Sequence, residues 1–281
     1  MHGSKYVVNV GAVIYDSSVP SYSNHGDNLL ITAPAGDASL YKGIVTTDLT
    51  GWLYGFNNKS STLDYYNGNY TDMMNGTSSA TPVASGVVAL ILEANPDLTY
   101  RDVKYILAKT ATKKNNSSYA GIKKYEWSEN KAGIYFSPYY GFGVINPVDA
   151  VAMAENFEGL GDEVVLSNKS QPYEPIPDLG SLSEKIYIKD NIAVQHVTVG
   201  VSIPEHDRIA DLKINITSPS GTVSTLLTTG ISGSLDNWEF SSVRFLDENS
   251  SGFWTITVYD TNSSYKGDLR EWNISISGYE I

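Results

Sequence analysis

The pattern of apolar residues changes part-way along the 281-residue chain, and this change limits the folds open to it. Near the N-terminus, residues 7–14 read VVNVGAVI, a continuous apolar run typical of a strand covered on both faces. Beyond about residue 185 apolar and polar residues alternate instead, which indicates strands with one buried face. The alternating segments are 193–203, 211–218, 253–260 and 272–279. We therefore predict an α/β part followed by an all-β sandwich.

The α/β part carries a second strand signal and three helix signals. A short apolar run at 29–32 predicts another buried strand, and residues 83–93 are apolar or small almost throughout. Residues 99–108 have an amphipathic pattern, with Thr99 as the N-cap and Asp102 at the third helical position of a capping box. A glycine-rich turn within 139–157 leads into a third predicted helix.

Two regions predict irregular structure. Residues 45–75 are rich in Asn, Ser, Gly and Tyr, which is typical of a surface loop. Residues 158–184 contain several Pro, Gly and Ser, which suits a linker or the entry to a domain. We accordingly predict two domains, 1–157 and 158–281, the second including its entry linker.

Composition excludes several classes of function. The formal net charge of -12 argues against nucleic acid and anionic membrane surfaces, because binding to either depends on clustered Lys and Arg. The chain has no cysteine, so disulfides, thiolate zinc sites and thiol catalysis are excluded. No apolar run approaches the roughly 20 residues that span a bilayer, and no signal-peptide pattern follows Met1. We expect neither a nucleic-acid partner nor a membrane span.

One serine stands where a helix is predicted to begin. Ser78 follows Gly76 and Thr77 and precedes a run of small residues. At the start of a helix its hydroxyl and backbone N–H lie at the positive end of the helix dipole, where developing negative charge is stabilised. Ser78 is therefore a candidate nucleophile. The alternative is that Thr77 or Ser78 serves only as the helix N-cap, since serine and threonine are common there.

The surrounding segment resembles a known nucleophile motif. GTSSATPVASGVVAL, with Gly76, Thr77, Ala80 and Pro82 at the motif positions, is similar to the G-T-S-x-A-x-P-x-x-A-G of subtilisin-like serine proteases. GIVTTDL at 43–49 and SPYYGFGVINPVDAV at 137–151 are similar to the kexin and furin branch, the proprotein convertases. The β-rich segments from about 211 resemble the P domain of that branch.

This resemblance implies a partial subtilisin-like parallel sheet with helices, followed by a jelly-roll-like P-domain sandwich. It also implies a serine endopeptidase with an acyl-enzyme on Ser78 and an oxyanion held by the Ser78 backbone N–H. The family's D-[ST]-G motif does not occur, and its H-G-T-H helix and oxyanion asparagine have no counterpart; Asn9 lies inside a strand and is no substitute. His2, His25, His196 and His206 are interpreted as terminal, surface or strand residues.

The expectation is therefore a fragment that lacks the Asp, His and oxyanion Asn segments and is inactive alone. The missing N-terminal half of the catalytic domain is an expected partner, whether it is lost by truncation or encoded separately. The alternative function is a non-catalytic binding or assembly module carried by the P domain. We expect the sandwich from about residue 160 to fold independently.

The resemblance further implies calcium as a cofactor, protein or peptide substrates cut after basic residues, and an extracellular or cell-surface location in a prokaryote. The export signal would lie outside this chain. Asn24 replaces a carboxylate that the family places after Tyr-Ser, which weakens a calcium site there. Candidate ligands in the β part are Asp236, Asp247 and Asp260.

Overall fold

A computed structural model describes residues 3–37, 43–58, 64–114 and 127–281 of the chain. The two apolar runs near the N-terminus form the strands β1 (Val10–Val13) and β2 (Ile31–Pro34). They pair in parallel and are mostly buried, as their continuous apolar sequence predicts. The helices that accompany them are α1 (Thr77–Ala94), α2 (Tyr100–Thr110) and α3 (Pro147–Ala154).

Helix α1 begins six residues before its apolar stretch and packs against β1, β2 and α3. Its buried side consists of Ser79, Ala80, Ala84, Val87 and Ile91, small enough to bring the helix close to the sheet. By length and composition alone α1 could cross a membrane, since its mean hydropathy is 1.3 over 18 residues. A core helix passes the same test, and α1 packs on the sheet and on α3 with 28% of those 18 residues buried.

Helix α2 has the ends that its sequence predicts. The Thr99 hydroxyl accepts a hydrogen bond from the Asp102 N–H, and the Asp102 carboxylate accepts one from the Thr99 N–H, at 2.7 Å. This reciprocal capping box satisfies two N–H groups that the first turn leaves without helical partners. Helix α3 follows the glycine-rich turn, with Asn146 as its N-cap and Pro147 as its first residue.

The prediction of an irregular loop at 45–75 is wrong at both of its ends. Strands β3 (Ile44–Thr47) and β4 (Tyr70–Met74) pair as an antiparallel hairpin, and β4 leads directly into α1. Two further short strands, β5 (Ser128–Glu129) and β6 (Tyr135–Phe136), form another small hairpin before α3.

The C-terminal part is a sandwich of two four-stranded antiparallel sheets. The sheet strands are β7 (Val164–Ser170), β9 (Ser181–Ile188), β10 (Ile192–Ser202), β11 (Leu212–Thr217), β12 (Val223–Leu227), β13 (Trp238–Ser242), β14 (Gly252–Asp260) and β16 (Glu271–Glu280). The first sheet has the order β13-β10-β16-β7 and the second has the order β12-β11-β14-β9. Short strands β8 (Glu174–Pro175) and β15 (Asp268–Leu269) pair outside these sheets.

The prediction of a linker at 158–184 is therefore partly wrong, because β7, β8 and the start of β9 lie within it. Alternating inward residues of both sheets make one apolar core, with Trp254, Trp272 and Phe245 among its fully buried members. A separate core lies between the three helices and β1–β2. Val243 and Leu246, from the segment after β13, complete that second core.

Buried polar contacts accompany this shared packing where the two parts meet. Arg101 of α2 is buried and donates to the Gln195 side chain and to the carbonyls of Gly161 and Gly278, at 2.7 to 3.0 Å. The Asp27 carboxylate accepts hydrogen bonds from the Thr225 N–H and from Arg244. The partners in these contacts come from segments that lie far apart in sequence. The contacts therefore form only when the α/β part and the sandwich are both folded, and they then hold the two parts together.

Candidate active site

Ser78 is the second residue of α1 and is exposed. The N-cap is Gly76, whose φ of 91° lies in the left-handed region that glycine adopts without strain. No side chain caps this end, and no acidic residue lies in the first turn. The interpretation of Thr77 or Ser78 as N-cap is therefore wrong, because both residues are already helical. The Ser78 hydroxyl instead stands free at the positive end of the helix dipole, where an anion is stabilised.

Pro82 lies in the second turn of the helix. It is the sixth helical residue, so its missing N–H would have bonded to the Ser78 carbonyl four residues earlier. The first turn therefore lacks one of the hydrogen bonds that normally hold it. Its position depends correspondingly more on contacts outside the helix.

Ser79 supplies such a contact. Its buried hydroxyl oxygen lies 2.8 Å from both the Ala35 carbonyl oxygen, just after β2, and the Gly76 carbonyl oxygen at the N-cap, so its single proton is shared between two acceptors. The start of α1 is thus fastened to the strand layer beside Ser78. The sequence analysis did not predict this role. The one signal for it was a small polar residue, Ser79, at the position between Ser78 and Ala80 that varies in the motif.

The polypeptide that precedes the helix is also held in place. The buried Asn57 side-chain amide donates to the carbonyls of Tyr65 and Tyr70, at 2.7 and 2.8 Å. The Asp48 carboxylate accepts from the Asn57 N–H at 2.7 Å. Residues 48–58 are thereby joined to the strand that leads into Ser78. No local pattern in the sequence predicts these contacts, because the partners are eight or more residues apart.

Two carboxylates lie close together in the same hairpin. Desolvation, and then the hydrogen bond to the neighbouring Asp64 carboxylate, raise the pKa of Asp72 above its ordinary value. The pKa of Asp64 is lowered, because hydrogen bonds from the Asp72 and Tyr65 N–H groups and from Thr71 outweigh desolvation. The pair therefore favours a proton on Asp72 and a charge on Asp64. Neither carboxylate contacts Ser78.

The described histidines do not converge on Ser78. His25 is exposed and stacks on Tyr139, with ring centroids 4.8 Å apart. His196 lies on β10, as predicted, but is buried, with Nε2 3.2 Å from the Gly3 carbonyl. The interpretation of His206 as a surface residue is wrong: its buried Nε2 lies 3.4 Å from the Asp260 carboxylate. Position 2, which holds the fourth histidine, lies outside the described residues.

Buried His196 predicts an acid-sensitive fold. Burial, with the nearby Lys104 charge, lowers the pKa of His196 to about 3. Between about pH 6.5 and pH 3 the unfolded chain binds a proton that the folded chain does not, so stability falls as pH falls, by about 1.4 kcal/mol per unit. Between pH 7 and pH 5 we expect the wild type to lose about 2 kcal/mol more than His196→Gln, measured by urea unfolding. Parallel curves for the two proteins would contradict the assignment.

The three candidate calcium ligands of the sandwich do not come together. Asp236 accepts from the Ser202 hydroxyl, and Asp260 lies next to His206. Asp247 accepts from Lys109 and from two tyrosine hydroxyls, where the helices meet the sandwich. Among the described residues, no three Asp, Glu, His or Cys side chains form a group that fits a metal ion. These aspartates therefore form no common cluster for a calcium ion, and the calcium expectation stays a prediction, while Asn24 lies exposed in its loop.

Known protein families match both parts of the chain. The pattern of the Subtilase family matches residues 2–143, which is half of the chain. The chain belongs to the subtilase family. The Proprotein convertase P-domain pattern matches residues 194–276 of this subtilase, within the sandwich. The predicted family, and the fold class of an α/β part followed by a β-rich P domain, are thus confirmed. The predicted boundary at 157/158 stays a prediction.

Several relatives resemble nearly the whole of this subtilase. The Aeromonas extracellular serine protease of Aeromonas sobria is 33% identical over 96% of the chain and 54% of the relative. Proprotein convertase subtilisin/kexin type 5 of Rattus norvegicus is 30% identical over 99% of the chain but only 15% of the relative. The crystal structure of the Aeromonas sobria protease superimposes with a TM-score of 0.83 at 30% identity, over 96% of the chain and 57% of that structure. The chain thus spans about half the length of the Aeromonas protease.

Proposed function

We propose that this chain is the nucleophile-bearing part of a serine endopeptidase that hydrolyses peptide bonds through an acyl-enzyme on Ser78. The observation that carries the proposal is the free, exposed Ser78 hydroxyl at the first turn of α1, within a subtilase. In this scheme the Ser78 oxygen attacks the scissile carbonyl, and the Ser78 N–H donates to the resulting oxyanion. Gly76, Thr77, Ala80 and Pro82 shape the turn that presents them.

The general base, the aspartate that orients it and the oxyanion asparagine would come from polypeptide outside these 281 residues. The outward side of α1 supports this, because it carries more apolar residues than the water-facing side of a helix normally does. Leu90 and Leu92 are 49% and 38% exposed there. A covering half-domain would bury this side and place the imidazole of its histidine beside Ser78. Alone, the chain would be inactive, since loss of a triad member costs orders of magnitude in rate.

A fluorophosphonate probe tests this scheme. The chain is to be labelled alone and after co-expression with the segment of the Aeromonas sobria protease that it does not cover, with complex formation checked by size-exclusion chromatography. We expect labelling only in the complex, because an unassisted serine hydroxyl is a poor nucleophile. Ser78→Ala should lower labelling to background, because the variant has no hydroxyl oxygen to bond to the phosphorus of the probe.

Ser85→Ala is the matched control, since Ser85 is an exposed serine of the same helix. The Ser85 variant should label as the wild type does. A formed complex that fails to label, or a Ser78 variant that still labels, would contradict the proposal.

The names of the relatives support a location and a type of partner. The Aeromonas relative is an extracellular protease, and its crystal structure is also known in complex with a chaperone. For this chain we propose protein or peptide substrates, cleavage after basic residues, and an extracellular or cell-surface location. Calcium would then be bound outside the three sandwich aspartates. The domain division at 157/158 is part of the same proposal.

A second candidate function is a binding or assembly module carried by the sandwich. The sandwich supports it, because its core is complete within the described residues and needs nothing from the catalytic part. The genomic sequence upstream of the codon for Met1 distinguishes the two. An open frame that encodes D-[ST]-G and H-G-T-H motifs favours the enzyme, whereas a stop codon followed by unrelated sequence favours the module.

A further inference from the structure

The outward face of the second sheet carries three exposed aromatic rings. Tyr187 of β9 and Phe253 and Tyr259 of β14 are 50%, 58% and 37% exposed. Tyr187 and Phe253 are directly paired across the strands, with ring centroids 5.1 Å apart. Tyr259 lies six residues further along β14 on the same face, about 20 Å away at the usual rise of a strand. The face thus presents aromatic rings at two positions about 20 Å apart.

The charge of this face is opposite to that of the whole chain. Its strand positions include Lys185 and Lys213 but no Asp or Glu, in a chain of net charge -12. The Lys213 ammonium lies 5.7 Å from the centre of the Tyr259 ring, so a cation and an aromatic ring are presented together. Neither lysine forms an ion pair with the described residues. A ligand on this face would therefore be anionic.

The surface between the aromatic rings is lined by hydroxyl groups. Thr255 and Thr257 separate Phe253 from Tyr259 on β14, and Ser183 lies opposite Thr257, with their hydroxyls 3.0 Å apart. Rings that expose apolar faces, separated by hydroxyl donors and acceptors, match sugar units, which offer C–H faces and hydroxyl edges. An acidic protein would instead require a larger continuous apolar centre.

We propose that the outward face of the second sheet binds an acidic polysaccharide, a chain of sugar units that carry carboxylate groups. Sugar rings pack on Phe253 with Tyr187 at one end and on Tyr259 at the other. The threonine and serine hydroxyls bond the ring hydroxyls between them. Lys213 and Lys185 pair with the carboxylates. The face lies in the P-domain sandwich, so binding is independent of the chemistry at Ser78.

Affinity electrophoresis of the full chain in gels that contain polygalacturonate tests the proposal. Fully methyl-esterified polygalacturonate has the same rings without the charge, and EDTA excludes bridging by calcium. We expect polygalacturonate to retard the chain and the ester to retard it far less. Phe253→Ala and Lys213→Gln should each raise the apparent Kd about fivefold or more. Added salt should weaken binding by the wild type more than by the Lys213 variant.

Trp238→Ala is the matched control, because Trp238 is a 55% exposed aromatic residue on the first sheet. It should bind as the wild type does, and urea unfolding should show that all variants keep their fold. Several results would overturn the proposal: no retardation, equal retardation by the ester, or an equal effect of Trp238→Ala. Competition by polyglutamate as strong as by free polygalacturonate would point to an acidic protein and would also overturn it.

Discussion

Replacing Arg101 by alanine is expected to lower the free energy of unfolding by about 3 kcal/mol or more. The guanidinium is buried and makes three hydrogen bonds, to the Gln195 side chain and to the carbonyls of Gly161 and Gly278. Hydrogen bonds to charged groups contribute about 1.5–3 kcal/mol each, and their removal leaves buried acceptors without partners. Urea unfolding measures the loss, with one spectroscopic probe for helix and another for tertiary packing.

The control for Arg101 is Arg270→Ala. Arg270 pairs with Glu205 where both side chains are exposed, so its loss should cost no more than about 1 kcal/mol. Because Arg101 binds the helices to the sandwich, its variant should also separate the transitions seen by the two probes. Equal, small losses in both variants would show that the buried guanidinium does not stabilise the junction.

Replacing Trp254 by alanine is expected to cost about 3–5 kcal/mol, the range found when a buried aromatic side chain is truncated. The indole is fully buried between the two sheets, and its Nε1–H donates to the Ser250 carbonyl at 2.9 Å. Its ring packs edge-to-face on Phe245, with centroids 5.0 Å apart. The variant therefore loses apolar contact and leaves a cavity in the centre of the sandwich. The midpoint of urea denaturation, at unchanged slope, measures the effect.

The adjacent residue provides the comparison for Trp254. Phe253 faces outward on the same strand and is 58% exposed, so Phe253→Ala should lose only the cross-strand contact with Tyr187 and cost about 1 kcal/mol or less. A result in which the two alanine variants are equally stable would contradict the described inward and outward directions of β14.

The features that the sequence predicted correctly are those set by neighbouring residues. Thr99 and Asp102 are three residues apart, and the capping box they form requires nothing else in the fold. The continuous apolar run of β1 and the alternation of β14 likewise carry their own signatures, because each strand shows on which faces it is buried. Ser78 was singled out by a contiguous motif and lies in an exposed first turn, and its role as the nucleophile stays a prediction.

The features that sequence analysis missed depend on distant partners. Strand β7 lies in a segment whose composition suggests a linker, and it is a strand because it pairs with β16, more than one hundred residues later. The β3–β4 hairpin is rich in turn-forming residues, and Asn57 organises the segment between the two strands through carbonyls that no local pattern identifies. The sequence analysis placed Arg101 only within an amphipathic helix. Its contacts could not be predicted, because its partners are 60 to 177 residues away.

The Ser79 hydroxyl has a consequence for the motion of its neighbour. A helix with glycine at its N-cap and proline in its second turn would fray first at the end that carries Ser78. The Ser79 hydroxyl hydrogen-bonds that end of the helix to the backbone just after β2. The thermal motion of the helix end is therefore limited by the strands and not only by the weak first turn. The Ser78 oxygen, which we propose as the nucleophile, can therefore keep a steady position even though its own helix holds it weakly.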